Sequence, residues 1–221
     1  MNTKEYIYIV GAGGKTSLMI FLRNLFISQK KKCFVTTTTK LYKETFSDSI
    51  VFKKEKIYNG CCFAESIYPD NKISGFTPEY LDEFFYSSDY SIIVEADGAK
   101  MKPIKFPAAY EPVVSKKATK TILVLGLDAL NKKINNATFH RLELFFTIFP
   151  EFKNTDLISF KIFDKIIDIY YKKLDCANFH LILNKFDDCC VTKNKIINNF
   201  KYLNFPFAIS SLKEKKIEWF K

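Results

Sequence analysis

The chain has 221 residues, 48% of them hydrophobic and 16% aromatic, a composition that supports a substantial core in one domain, residues 1–221, and excludes a disordered chain. Its net charge of +10 comes from lysines dispersed among Asn, Ile, Phe and Tyr without an arginine-rich stripe, which argues against nucleic acid and for a basic pocket that takes phosphates. No apolar run approaches the roughly 18 residues of a membrane span, and Met1–Glu5 leads into a strand rather than a signal peptide, so a cytoplasmic protein with no membrane contact is expected.

Tyr6–Val10 reads as a short apolar strand that stops at Gly11. After Lys15, the residues Leu18, Phe21, Leu22, Leu25 and Phe26 recur at helical spacing up to the polar run Ser28–Lys32. Cys33–Val35 is a second strand, closed by Thr36–Thr39, and Ser49–Phe63 reads as short strands with a tight hairpin at Asn59-Gly60. Pro78–Tyr86 is expected to be a helix capped by Thr77, with proline in its first turn. Ser91–Val94 is a strand running into Glu95-Ala96-Asp97-Gly98, and Lys100–Pro112, with Pro103, Pro107 and Pro112, is an irregular loop. Thr121–Leu125 is a strand ending at Gly126, followed by helices near Asn136–Phe149 and over Asp156–Lys173. The second of these carries Ile162, Phe163, Ile166, Ile167 and Tyr170 on one face. The strand Phe179–Leu183, a polar helix over Val191–Tyr202 and the strand Phe205–Ile209 complete the pattern. Strands alternating with helices predict an α/β fold, a mostly parallel sheet with helices on both faces, and the strand–Gly11-Ala12-Gly13-Gly14-Lys15-Thr16–helix order makes the expected fold P-loop NTPase-like. Ligands of such sheets gather at the carboxyl ends of the strands, where each motif below begins.

Gly11-Ala12-Gly13-Gly14-Lys15-Thr16-Ser17 follows a strand and opens a helix. Glycines let the backbone turn tightly and aim N–H groups at phosphate oxygens, and the helix start adds positive partial charge. Lys15, read as part of a polar loop, would contact the outer phosphates, and Thr16 would bind Mg²⁺. The loop is a shortened G-x-x-G-K-T form, since Ile9 stands where the longer pattern has its first glycine. Thr37 and Thr38 end the second strand and are candidates for reaching the metal or terminal phosphate. Glu95 and Asp97 end the next one, where a carboxylate holds the magnesium shell or orients a water. Extended alternation puts both on one side, and spacing does not choose between them. Asn184-Lys185-Phe186-Asp187 has the N-K-x-D form that reads guanine in GTPases, although chance matches are easy in a chain rich in these residues, so GTP and ATP both stay open. His140-Arg141 is a basic pair suited either to transferring charge or to an ordinary helix surface.

The cysteines Cys33, Cys61, Cys62, Cys176, Cys189 and Cys190 show neither CxxC spacing nor a nearby histidine pair, so reduced thiols are expected rather than zinc. The alternative is a transient metal, sulfur or selenium contact at Cys189-Cys190.

With these residues assembled, the chain resembles the selenium-dependent hydroxylase accessory protein family, also called the YqeC family. The resemblance is carried by Gly11–Ser17, Val35–Lys40, Val94–Lys100, Pro103–Pro112, Gly126–Ala129 and His140-Arg141, about the first two thirds of the chain. It implies a cytosolic P-loop protein that assists maturation of selenium-dependent molybdenum hydroxylases, with one of those enzymes or their maturation proteins as partner. It also raises Lys100, Lys105, Glu95, Asp97 and His140-Arg141 as site residues and implies that the prolines shape a loop over the ligand. Two other functions fit the residues. One is a small-molecule kinase or acid-amide ligase, since the G-x-x-G-K-T loop and threonine run look like those of the Mur ligases. The other is a basic pterin- or RNA-binding module without turnover.

Overall fold

The computed structural model describes residues 4–175 and 178–220. In chain order the elements are β1 (Tyr6–Gly11), α1 (Lys15–Ser28), β2 (Cys33–Thr37), β3 (Lys40–Tyr42), β4 (Ile50–Phe52), β5 (Cys62–Ala64), β6 (Ser66–Ile67) and β7 (Lys72–Ser74). Then come α2 (Pro78–Ser87), β8 (Ser91–Glu95), β9 (Ile104–Lys105), β10 (Lys120–Gly126), β11 (Phe139–His140), α3 (Leu142–Ile148) and α4 (Phe160–Leu174). The chain ends with β12 (Phe179–Asn184), α5 (Lys193–Phe200), β13 (Phe207–Ser211) and β14 (Lys216–Phe220).

Nine strands form one sheet in the order β14-β13-β12-β10-β1-β8-β2-β5-β4. Every neighbouring pair in it is parallel except β13 with β14. β1 is buried along its whole length, as a central parallel strand must be, and its side chains alternate between two cores. Tyr6, Tyr8 and Val10 join the core covered by α2, α4 and α5, while Ile7 and Ile9 join the one under α1. The sheet is thus covered on both faces, and the fold is of the expected P-loop-like α/β class. The apolar stripe of α4, Ile162, Phe163, Ile166, Ile167 and Tyr170, is wholly inside. At about 1.5–3 kcal/mol per buried side chain, that burial outweighs the helix penalty of its isoleucines, which is below roughly 1 kcal/mol each. Thr77 caps α2 as expected, accepting from the Tyr80 N–H.

Several local expectations are corrected. Asn59-Gly60 is not a hairpin turn, because β4 and β5 pair in parallel. Instead the Gly60 N–H donates to the Cys33 carbonyl and the Asn59 side chain accepts from the Cys33 N–H, docking the dipeptide at the start of β2. The helix expected over 136–149 shrinks to α3, because Phe139–His140 pairs with Ile104–Lys105 as a small parallel sheet. That pairing also orders part of the loop expected to be irregular, which becomes a strap anchored at β9. Beyond the expected strands, β14 adds an antiparallel edge to β13. No helix among the described residues is long and apolar enough to cross a membrane.

Candidate functional site

The carboxyl ends of β1, β8, β10 and β12 meet around the loop after β1. Gly13 and Gly14 adopt φ of +83° and +123°, a region that L side chains avoid. Space excludes side chains there as well. A Cβ on Gly13 would lie 2.2 Å from the Gly126 nitrogen, and one on Gly14 would lie 2.3 Å from the Asn184 side-chain nitrogen. The loop is pinned by the Ala12 N–H to the Val124 carbonyl at 2.8 Å and the Gly13 N–H to the Lys102 carbonyl at 3.1 Å. α1 starts at Lys15 without a side-chain cap, which leaves its first N–H groups, the positive end of the helix dipole, at the glycine loop.

Lys15 is the first residue of α1 and only 4% exposed, not part of an open polar loop. Its ammonium donates to the Gly11 carbonyl at 2.7 Å and pairs with Asp97 at 3.2 Å and Glu95 at 3.7 Å. Both carboxylates therefore lie on its side, as the alternation required. Glu95 also accepts from the Thr16 hydroxyl at 2.9 Å. Asp97 is saturated: it accepts from the Gly11 N–H at 3.0 Å and the Tyr170 hydroxyl at 2.8 Å, and its second cation is Lys105 at 3.2 Å. Lys105, fully buried in the strap, also pairs with Glu111, which holds the Arg141 guanidinium through both of its oxygens. Three cations thus interleave with three carboxylates in one buried array.

Burial opposes the Lys15 ammonium, but Asp97 and Glu95 outweigh it and hold its pKa above the usual lysine value. Burial pushes the Glu95 carboxyl up, against the pull of Lys15 and Thr16. Burial also lowers Lys105 despite Asp97 and Glu111, whereas Glu111 ends below its usual range because Arg141 and Lys105 overcome its burial.

The other sequence-derived candidates divide. The Thr37 hydroxyl donates to the Glu95 carbonyl at 2.7 Å and that of Thr38 to the Val113 carbonyl at 2.8 Å, so both brace the strand ends. Ser17 is exposed on α1, and Lys100 is exposed at a left-handed turn, within electrostatic reach of His140. Asn184 is 3% exposed and donates to the Gly13 carbonyl at 2.8 Å. Lys185 pairs with Asp128 at 3.1 Å, and the Asp187 N–H donates to the Ser211 hydroxyl at 3.2 Å. Glu111, Tyr170 and Asp128 are not singled out as site residues by the sequence. The only signals were a glutamate beside Pro112 in the three-proline segment, a tyrosine on an apolar helix face, and an aspartate just past a strand-ending glycine.

Cys33, Cys61 and Cys62 are buried and Cys190 is exposed. Burial pushes the Cys33 thiol up to about 11 and that of Cys62 to about 12, so neither is a thiolate at neutral pH. Cys189 is half-buried, and Cys176 lies outside the described residues. No group of three or more His, Cys, Asp or Glu side chains among the described residues is arranged to hold a metal.

His140 is pushed down to about 4 by burial and by Arg141, Lys105, Lys100 and Lys102. It is therefore neutral at pH 7 and supplies no positive charge to a ligand, a role left to Arg141. Because its folded value lies below the ordinary 6.5, the stability it contributes is complete above about pH 6.5 and is lost as pH falls through 4. An NMR titration of the two imidazoles checks this: a His140 midpoint near 4 is expected, and one near 6.5 would mean that its cationic neighbours do not act on it.

A mostly parallel α/β sheet thus brings together a glycine loop after its central strand, a buried lysine at the helix start and a carboxylate on the adjoining strand. The chain belongs to the YqeC family, whose sequence profile, described as YqeC protein, matches residues 7–143. A protein of Escherichia coli (strain K12), described as uncharacterized protein YqeC, is 32% identical over 145 residues, 61% of this chain and 57% of that protein. The chain thus aligns with little more than half of that relative's length. No solved structure matches the chain. The matched segment holds the glycine loop, Glu95, Asp97, Lys105, Glu111, His140 and Arg141; Tyr170 and Asn184–Asp187 lie beyond it.

Proposed function

We propose that this chain binds a nucleoside triphosphate with Mg²⁺ on Gly11–Ser17 and hydrolyses it in the cytoplasm, as an accessory factor in the maturation of selenium-dependent molybdenum hydroxylases. The observation that carries the nucleotide reading is the convergence of Lys15, Thr16 and Glu95 at the start of α1, with 2.9 Å between the Thr16 hydroxyl and Glu95. A hydroxyl and a carboxylate oxygen are hard ligands of the kind Mg²⁺ takes, and Mg²⁺ needs few of them because phosphates and waters fill its remaining positions. Thr16 and Glu95 would hold the ion, which supplies charge neutralisation on the phosphates when bound. Lys15 and the helix-start N–H groups bind the outer phosphates. The array holds three cations against three carboxylates, so it brings no surplus positive charge, and neutralising the phosphates during turnover falls to the metal.

Glu95 is the carboxylate available to orient a water, since Asp97 is fully occupied by the Gly11 N–H, the Tyr170 hydroxyl and two lysines. The strap of residues 100–112 is joined to the site through Lys105 and Glu111, so rearrangement at Lys15 and Asp97 reaches its outer surface. That linkage suits a nucleotide-dependent change of partner affinity. The identity of the partner is drawn from the family resemblance.

Glu95→Gln tests the reading. The amide keeps the side chain's size and the glycine loop stays intact, so nucleotide is expected to bind while Mg²⁺-dependent turnover falls by about a hundredfold or more. Turnover at the parent rate would make Glu95 a structural carboxylate and displace the proposed site.

A further inference from the structure

We propose that the base selected by this site is guanine, with Asp187 as the discriminating acceptor; this rests on the nucleotide reading above. In a chain so rich in Asn, Lys and Asp, the N-K-x-D pattern alone decides nothing. The tertiary hydrogen bonds do. β12 lies two strands from β1, yet its last residue reaches the glycine loop: Asn184 Nδ2 donates to the Gly13 carbonyl at 2.8 Å. Asn184 Oδ1 accepts from the Ser210 hydroxyl at 3.0 Å and from the Leu212 N–H at 3.3 Å. One buried amide therefore ties the phosphate loop to the ends of both β12 and β13. The close approach is built in, since any Cβ at Gly14 would collide with Asn184 Nδ2 at 2.3 Å.

The next residues are set by this tie. Lys185 takes a left-handed conformation, φ +63°, and its ammonium is held by Asp128 at 3.1 Å, which fixes the course of its aliphatic stem. The Asp187 N–H is anchored on the Ser211 hydroxyl at 3.2 Å. The Asp187 carboxylate itself is exposed and makes no hydrogen bond or ion pair among the described residues. So the ends of β12 and β13, both tied to the phosphate loop, hold the Asp187 backbone in place and leave its carboxylate, like that of Asp188 beside it, without a partner among the described residues.

A carboxylate only accepts hydrogen bonds. Guanine offers it two adjacent donors, the N1–H and the 2-amino group. Adenine offers an acceptor at N1 and a carbon-bound hydrogen at C2, and so leaves the acceptor desolvated and unpaired. Once a base covers the carboxylate and takes its water away, the analogue lacking the donors leaves it unpaired and is penalised.

Equilibrium binding of GTP and ATP with Mg²⁺ to the parent chain, followed by GTP and XTP on Asp187→Asn, tests this. GTP is expected to bind on the order of a hundredfold or more tighter than ATP. Asp187→Asn is expected to lose GTP affinity and gain XTP affinity, because its amide N–H can meet the xanthine 2-oxo group. The gain cannot come from misfolding. ATP binding as tightly as GTP, or an unchanged GTP to XTP ratio in the variant, overturns the guanine assignment while leaving the phosphate site standing. Failure of both GTP and ATP to bind overturns the nucleotide reading and this inference together.

Discussion

Lys15→Ala is expected to bind Mg²⁺-nucleoside triphosphate at least about a hundredfold more weakly than the parent chain, and also to be less stable. The affinity loss follows from one ammonium making two charge-assisted bonds to phosphate, about 1.5–3 kcal/mol each, with about 1.4 kcal/mol per factor of ten. The stability loss follows from burial. Lys15 is the nearest cation to Glu95 and one of two on Asp97, so truncation leaves carboxylates inside the protein with too little counter-charge. Breaking such a buried pair by removing one partner costs about 3–5 kcal/mol. The two effects separate experimentally if affinity is measured on the folded fraction, by circular dichroism and titration on the same sample. Lys15→Met, which keeps the stem's volume, gives the same affinity loss with less disturbance of packing. Unchanged affinity in either folded variant would remove the phosphate-binding role from this lysine.

Asp97→Asn is expected to be the most damaging conservative change in the molecule. The carboxylate is fully buried and receives four donors: the Gly11 N–H, the Tyr170 hydroxyl, Lys15 and Lys105. An amide of the same shape removes the charge and turns an N–H toward groups that are themselves donors. Lys105, already lowered by burial, then loses the first of the carboxylates that support its charge and is driven toward its neutral form. The expected loss is about 3–5 kcal/mol, or roughly 10 °C in melting temperature for a chain of this size. Tyr170→Phe provides the scale, since it deletes one hydrogen bond to the same carboxylate and should cost about 1.5–3 kcal/mol. Equal melting temperatures for parent and Asp97→Asn would mean that the array does not hold the glycine loop to the strap.

The glycine loop, the N-cap of α2 and the apolar stripe of α4 were legible because each is decided within a few residues: a strand-to-helix turn that only glycine tolerates, a hydroxyl three residues before an open N–H, a repeat at helical spacing. Strand ends were legible for the same reason, and with them Lys15, Thr16, Glu95 and Asp97. What stayed hidden depends on chain segments far apart. Tyr170 has the pattern of a core residue, and only the packing of α4 on the sheet sets its hydroxyl against a carboxylate 73 positions away. Glu111 and Arg141 lie 30 positions apart and meet because β9 pairs with β11, a pairing of two residues each that carries no periodic signal. Asn59-Gly60 has the composition of a hairpin, but hydrogen bonds to Cys33 at the start of β2 outcompeted the local turn and sent β5 into a parallel register. Local backbone preference is written residue by residue. Which charge neutralises which is set by topology, since buried ions are tolerated only where the fold brings their partners within a few ångströms.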